Sequence, residues 1–131
     1  MMPRLRPDLH PLIEPLLGIP YDEMQCRSLV EYLFLQGFGV DLRSTDGLDL
    51  NQHFQEIWYR DDSADPVTLY EPWDVVLMTN DEALPIGEHT GVVVDATMFV
   101  HARAAATGVA LGRLRTWKSR LVQVARYREL L

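Results

Sequence analysis

Helices first and strands afterwards make an α+β domain the fold this sequence predicts. Three observations carry it: apolar residues at helical spacing from Cys26 to Phe34, a succession of short β-branched runs between Asp74 and Arg126, and a length of 131 residues. That length is enough for one hydrophobic core without staples, so a single domain over 1–131 is expected, with 1–17 as its N-terminal cover.

Asp8 to Leu17 reads as a short helix interrupted by Pro11 and Pro15 and closed by Gly18-Ile19-Pro20. Asp22 with Gln25 three residues on resembles a capping box, and Cys26, Leu29, Val30, Leu33 and Phe34 then mark one face of a helix that Gly37 and Gly39 end. The cysteine therefore falls in a first helical turn. Residues 41–49 are polar and turn-like. Asp49 and Gln52 repeat the capping pattern, and Leu50, Phe54, Ile57 and Trp58 suggest a second helix. Asp61 to Pro66 reads as an acidic loop. Strand-like runs follow at Asp74–Met78, Gly91–Val94, Met98–Ala102, Val109–Leu111 and Leu121–Arg126, with Arg113 to Ser119 a short helix or loop between the last two. Together they predict a small antiparallel sheet with the Cys26 helix packed on one face.

A hydrophobic fraction of 47% and a charged fraction of 24% exclude a disordered or fibrous chain. No apolar run has signal-peptide or membrane-spanning length, so neither a leader nor a membrane span is expected. The net charge of −7 is unevenly spread: twelve acidic residues lie between Asp41 and Glu88, and seven basic ones, Arg103 to Arg128, follow Ala102. Too few aromatics are interleaved with the basic residues for a base-stacking surface, so nucleic acid is not an expected partner. The basic cluster could favour another anionic partner such as an acidic cell-wall polymer, but a solvated face that balances the acidic middle, within the fold or against a neighbouring subunit, is the plainer reading. With one cysteine, no internal disulfide is available.

That lone thiol, Cys26, and two of the four histidines, His89 and His101, are the residue types of a nucleophile, a base and an orienting group. A helix N-terminus favours the thiolate and offers N–H groups to an oxyanion, although a cysteine on an apolar helix face is more often a small buried hydrophobe. His89 opens one predicted strand and His101 ends the next. A hairpin centred on Asp95 places the two opposite each other, on a face shared with Gly91, Val93, Thr97 and Phe99. A two-residue turn at Asp95-Ala96 would instead point the rings to opposite faces, so a three- or five-residue loop or a bulge is expected. His10 and His53 read as surface residues. Cysteine and histidine are also zinc ligands, but no short-spaced ligand pair occurs, and neither a metal nor another cofactor is expected.

In order and spacing these pieces resemble the NlpC-type cell-wall peptidases, papain-like enzymes that include domains of bacteriophage tail tips. Gly18-Ile19-Pro20-Tyr21 through Gln25-Cys26-Arg27-Ser28-Leu29-Val30 looks like the nucleophile helix, and Pro72-Trp73-Asp74-Val75-Val76 is similar to the family's Pro-Gly-Asp strand entry. His89-Thr90-Gly91-Val92-Val93-Val94 looks like the base strand, and Phe99-Val100-His101-Ala102 is similar to the strand bearing the third polar residue. Gly108 to Leu111 and Val124 to Arg128 resemble the closing strands, so the likeness covers about 18–128.

The resemblance implies a papain-like NlpC fold with Cys26 as nucleophile, His89 as general base and then acid, and His101 orienting His89. It implies hydrolysis of amide bonds in the peptide stems of peptidoglycan. Tyr21, Gln25, Arg27 and Trp73 are the expected substrate-side residues. The family's Asp-Cys-Ser-Gly is here Gln25-Cys26-Arg27-Ser28, which changes the group facing the substrate's amino end. Lack of a leader fits delivery in a virion, with other phage tail proteins as partners and the virion or the host cytoplasm during assembly as location. The alternatives are a structural tail-tip or hub component that keeps the fold with little or no turnover, and an acyltransferase on the same nucleophile.

Overall fold

The computed structural model describes residues 6–42, 53–59, 70–79, 89–103 and 108–130. Among them are a short α1 (His10–Ile13), a long α2 (Cys26–Phe38), strands β1 (Phe54–Tyr59), β2 (Val75–Met78), β3 (His89–Val93), β4 (Met98–Arg103) and β5 (Gly108–Arg113), a one-turn α3 (Leu114–Trp117), and β6 (Leu121–Tyr127). The strands form one antiparallel sheet in the order β1-β6-β2-β3-β4-β5. The chain is thus mixed helix and antiparallel sheet, as the order of its patterns predicts.

The two sheet faces have different occupants. Val75, Val92, Val94, Val100, Ala102, Val109, Ala125 and Tyr127 pack with Leu29, Val30, Leu33 and Phe34 of α2. The alternate residues, among them Val76, Met78, Val93, Phe99 and Val124, pack with Leu114, Trp117 and Leu121. This is the period-2 alternation of a sheet covered on both sides. The N-terminal segment is more than a cover, because Leu9, Ile13 and Leu16 are buried in the helix-side core; of the predicted 1–17, residues 1–5 lie outside the described ones.

Helix α2 begins one turn later than the Asp22–Gln25 pattern predicts. Gln25 is the N-cap, with extended backbone (φ −79°, ψ 169°) and no side-chain cap bond, so Cys26 is the first helical residue. Residues 21–24 are spent instead on a turn in which Glu23 and Met24 donate to Pro20 O. At the other end Gly39 takes the left-handed conformation (φ 70°) that closes the helix. Gly37 stays inside the helix, and the Trp73 ring lies against it where a methyl would collide.

The second predicted helix is not formed: residues 54–59 are strand β1, paired with β6. The register shifts between Glu56 and Trp58, a bulge at Ile57. Because the sheet is covered on both sides, β1 places Phe54 in the helix-side core and Ile57 against the opposite one, and apolar residues three apart imitate helical spacing. Its predicted start at Asp49–Gln52, and the Asp61–Pro66 loop, lie outside the described residues.

Trp73 anchors the far end of the core. It is fully buried against Phe34 and Phe38, with ring centroids 5.2 Å and 4.8 Å away, and its indole N–H donates to Pro7 O at 2.7 Å. Next to it Asp74, also fully buried, accepts two bonds from Arg126 (2.8 and 2.9 Å) and one from the Glu71 amide. Burial pushes the Asp74 carboxyl above its ordinary range, although Arg126 and the Glu71 amide work against that. Arg126 also reaches Glu71 at 3.2 Å, and Arg6 pairs with Glu71 at 2.6 Å. Part of the basic C-terminal charge is therefore used inside the fold, to balance the acidic middle.

Candidate active site

Position and direction of α2 follow from what holds its two ends. Its C-terminal rings press on Trp73, whose amide donates to Val93 O at the end of β3. The chain entering its N-terminus is tied to the opposite end: Gly18 N–H donates to Val109 O and Val109 N–H to Ile19 O, beside Ala102 and Arg103. Helix α2 therefore runs back along β3, and Cys26 and His89 belong to the same end of the sheet.

The β3–β4 connection has the three residues Asp95-Ala96-Thr97, with Val94 N–H bonded to Met98 O at 2.9 Å. Asp95 organises it, since its Oδ1 accepts from Thr97 N–H (2.8 Å), Thr97 Oγ1 (3.0 Å) and Met98 N–H (2.9 Å). Partial burial would raise the Asp95 carboxyl, but these bonds outweigh it and hold it below its ordinary value. An odd loop keeps residues 89 and 101 on the same face, as expected. The hairpin is centred on Ala96 rather than Asp95, however, so His101 stands opposite Gly91 and reaches His89 diagonally.

That diagonal is usable because Gly91 has no side chain in the way. A Cβ there would meet Val100 O at 2.6 Å and His101 Cβ at 3.2 Å. On the other flank Gly112 opens the same kind of space, for a Cβ would lie 2.8 Å from His101 Nε2. Between them His89 Nε2 and His101 Nδ1 are 2.6 Å apart, both residues buried at 1% and 2% exposure. One of these nitrogens donates and the other accepts. With Nε2 committed to this bond, proton exchange with a third group falls to His89 Nδ1.

Aromatic rings box the pair. Trp117 stacks on His89 (centroids 5.3 Å apart, planes 28°) and meets His101 edge-on at 5.0 Å, while Phe99 lies 4.4 Å from His101. The guanidinium carbons of Arg103 and Arg120 stand 5.3 Å and 5.1 Å from the indole centroid. Neither Trp117 nor Gly112 was legible as part of a site, because the segment 113–119 reads only as a connector and nothing in its spacing points back to residues 89 and 101.

Cys26 is the first residue of α2, 9% exposed, and belongs to the helix-side core. Strand alternation sends the two imidazoles to the other face, with Phe99 and Trp117. A thiol–imidazole encounter therefore has to be made round the end of β3, not across one face of the sheet. Gln25 and Arg27, both exposed, flank the thiol, and Tyr21 is half-buried against the helix-side core. Trp73 is a correction to the sequence reading: fully buried at the other end of α2, it meets no substrate. Its backbone is left-handed (φ 77°), a conformation glycine adopts readily and other residues at about 1–2 kcal/mol.

Among the described residues no group of three or more His, Cys, Asp or Glu side chains is arranged to hold a metal ion. No helix among them is long and apolar enough to cross a membrane. Neither a scan against protein-family models nor a search of curated proteins finds a match to this chain.

Proposed function

We propose that this chain is a cysteine amide hydrolase with Cys26 as nucleophile, His89 as general base and then acid, and His101 as the group that holds His89. The observation that carries the reading is the buried 2.6 Å contact between His89 Nε2 and His101 Nδ1. It supports a held base whose second ring nitrogen, Nδ1, is the one left for proton transfer, at the sheet end where α2 begins with a cysteine. His89 Nδ1 takes the Sγ proton as sulfur attacks the amide carbon. On this reading the first-turn N–H groups of α2, which have no intrahelical acceptor, stabilise the oxyanion. His89 returns the proton to the departing amine, and water then cleaves the thioester with His89 again as base.

Substrate and setting come from the sequence resemblance to the NlpC-type peptidases and their papain-like fold: a peptide stem of peptidoglycan, cut by a phage tail-tip component, with Gln25, Arg27 and Tyr21 as the nearest substrate-side residues. The position of Trp73 supports the same likeness, since its left-handed backbone stands where that family's Pro-Gly-Asp carries glycine. In the test, the wild-type chain releases stem-peptide fragments from purified peptidoglycan, and Cys26→Ala and His89→Ala do not. Iodoacetamide modifies wild-type Cys26 at pH 6 at least about a hundredfold faster than in His89→Ala, the lower range of general-base contributions. A wild-type chain that releases nothing, with Cys26 alkylation indifferent to His89→Ala, sinks the proposal.

A second reading is favoured by the burial of Cys26 in the helix-side core while the imidazoles occupy the other face. On it the chain is a structural tail component without turnover, present in the virion and in the host cytoplasm during assembly. Particle assembly undiminished by Cys26→Ala, together with no fragment release by the wild type, is its signature.

A further inference from the structure

The rings around the two histidines do more than fill space. Trp117 comes from α3, outside the strands that carry the histidines, yet it touches both: face to face with His89 and edge-on to His101. It is 8% exposed, and Phe99 lies against both rings, 4.4 Å from His101 and 5.9 Å from the indole. We infer that Trp117 is a positioning residue, whose indole holds the His89–His101 bond in one tautomeric arrangement and keeps water from it.

Stacking holds the plane of the His89 ring, and within that plane the bond to His101 selects the edge that carries Nδ1. An imidazole free to turn about its Cβ–Cγ bond would bring Cδ2 and Cε1 to the places of Nδ1 and Nε2 and lose that bond. The indole denies it that rotation. Exclusion of water matters because a hydrogen bond between buried imidazoles is electrostatically stronger than one in competition with solvent. With Nε2–H of His89 donating to Nδ1 of His101, His101 is left with its proton on Nε2, the atom beside Gly112. The charged side chains that reach the indole are Arg103, two residues beyond His101 on β4, and Arg120, after α3. Their cation–π contacts hold the indole in place from its outer side.

As a statement about catalysis this rests on the hydrolase reading. As a statement about the histidine pair it does not, and the experiment separates the two. Long-range 1H–15N correlation spectra of the 15N-labelled chain report the tautomer of each ring across pH, with no turnover required. Wild type and Trp117→Phe are expected to show one fixed tautomer per ring. Trp117→Ala is expected to show averaged nitrogen shifts, solvent exchange of the shared proton faster by roughly three- to tenfold, the worth of one aromatic contact, and a displaced pH profile of Cys26 alkylation. Should Trp117→Ala fail to fold, Trp117→Leu decides, because leucine fills the space without a flat face. Leucine behaving like phenylalanine and wild type in these spectra overturns the inference. Hydrolysis in a chain whose tautomers ignore Trp117→Leu overturns the positioning role alone. Tautomers that respond in a wild-type chain releasing no peptide overturn the hydrolase reading and leave the positioning role standing.

Discussion

Adding one methyl group at Gly112 tests whether the geometry of the histidine pair governs activity. In Gly112→Ala the new Cβ would lie 2.8 Å from His101 Nε2 and 2.8 and 2.9 Å from two carbons of the Phe99 ring. Comfortable contact begins near 3.5 Å, so about 0.7 Å has to be found. Strand β5 is bonded to β4 at Gly112 opposite Phe99, and the rings yield more readily than that backbone. A shift of that size added to the 2.6 Å contact between His89 and His101 takes it beyond ordinary hydrogen-bond length. Overpacking of this kind costs about 1–3 kcal/mol, or about 3–5 °C of Tm per kcal/mol in a chain of this size. Misplacement approaching 1 Å at a catalytic group costs up to about a hundredfold, so kcat/KM for stem-peptide release should fall roughly 10- to 100-fold. Gly39→Ala is the matched control, since Gly39 has φ 70° and nothing within 4 Å of an added Cβ. It loses about 1 kcal/mol to backbone strain, far from the imidazoles. Kinetics, thermal melts and imidazole 15N shifts are compared for the three chains. If Gly112→Ala loses no more activity than Gly39→Ala, the link from ring position to rate is wrong.

Asp95→Asn should destabilise the chain by about 1 kcal/mol at neutral pH, because the charged acceptor of the loop bonds becomes a neutral one. The folded Asp95 titrates below its unfolded value, so the wild-type advantage is full above the ordinary aspartate range and disappears as pH falls through the folded value; urea melts from pH 7 to pH 3 that show a constant difference contradict this. Deleting exposed Ala96 leaves a two-residue loop and changes the hairpin parity. Either Val100 and Ala102 exchange faces with Phe99 and His101 or the strand buckles, at a cost of at least about 3 kcal/mol, whereas two glycines inserted after Ala96 keep the parity for under about 1 kcal/mol of loop entropy. Equal urea midpoints for the deletion and the insertion would refute the parity argument.

Much of the strand half was readable because each run is short, β-branched and closed by turn residues, and because His89-Thr90-Gly91 and Met98 to His101 fix their own faces. The helix with Cys26 was readable from its apolar spacing. Its first residue was not, since Asp22 and Gln25 make a plausible box while Pro20 draws the preceding amides into a turn of its own. Strand β1 was misread because both its faces are covered, so Phe54 and Ile57 point to opposite cores and only its pairing with β6 reveals the strand. Trp73 was misread for a global one: an aromatic beside a turn looks exposed until a helix glycine eleven residues beyond Cys26 is found against its ring. Trp117 and Gly112 belong to the site through tertiary contact alone, and no spacing in the chain announces such contacts.

Strands β3 and β4 divide two tasks between alternate residues, and this division constrains any mechanism. Val92, Val94, Val100 and Ala102 give the sheet its hold on α2, while His89 and His101 form the bonded imidazole pair and Gly91 and Phe99 the space around it. Stability and reactivity can then be altered separately, since a change at Val100 strains the packing under α2 and a change at Gly91 strains the imidazoles. The same division leaves the thiol on the stabilising side. A cysteine at the first position of a helix lying over such a strand can meet the opposite face only where the strand ends, and His89 is the first residue of β3. On the proposed reading the base stands at the end of its strand, the one place where a nucleophile from the helix side could meet it, whereas a histidine at position 91 or 93 would lie further along the covered face.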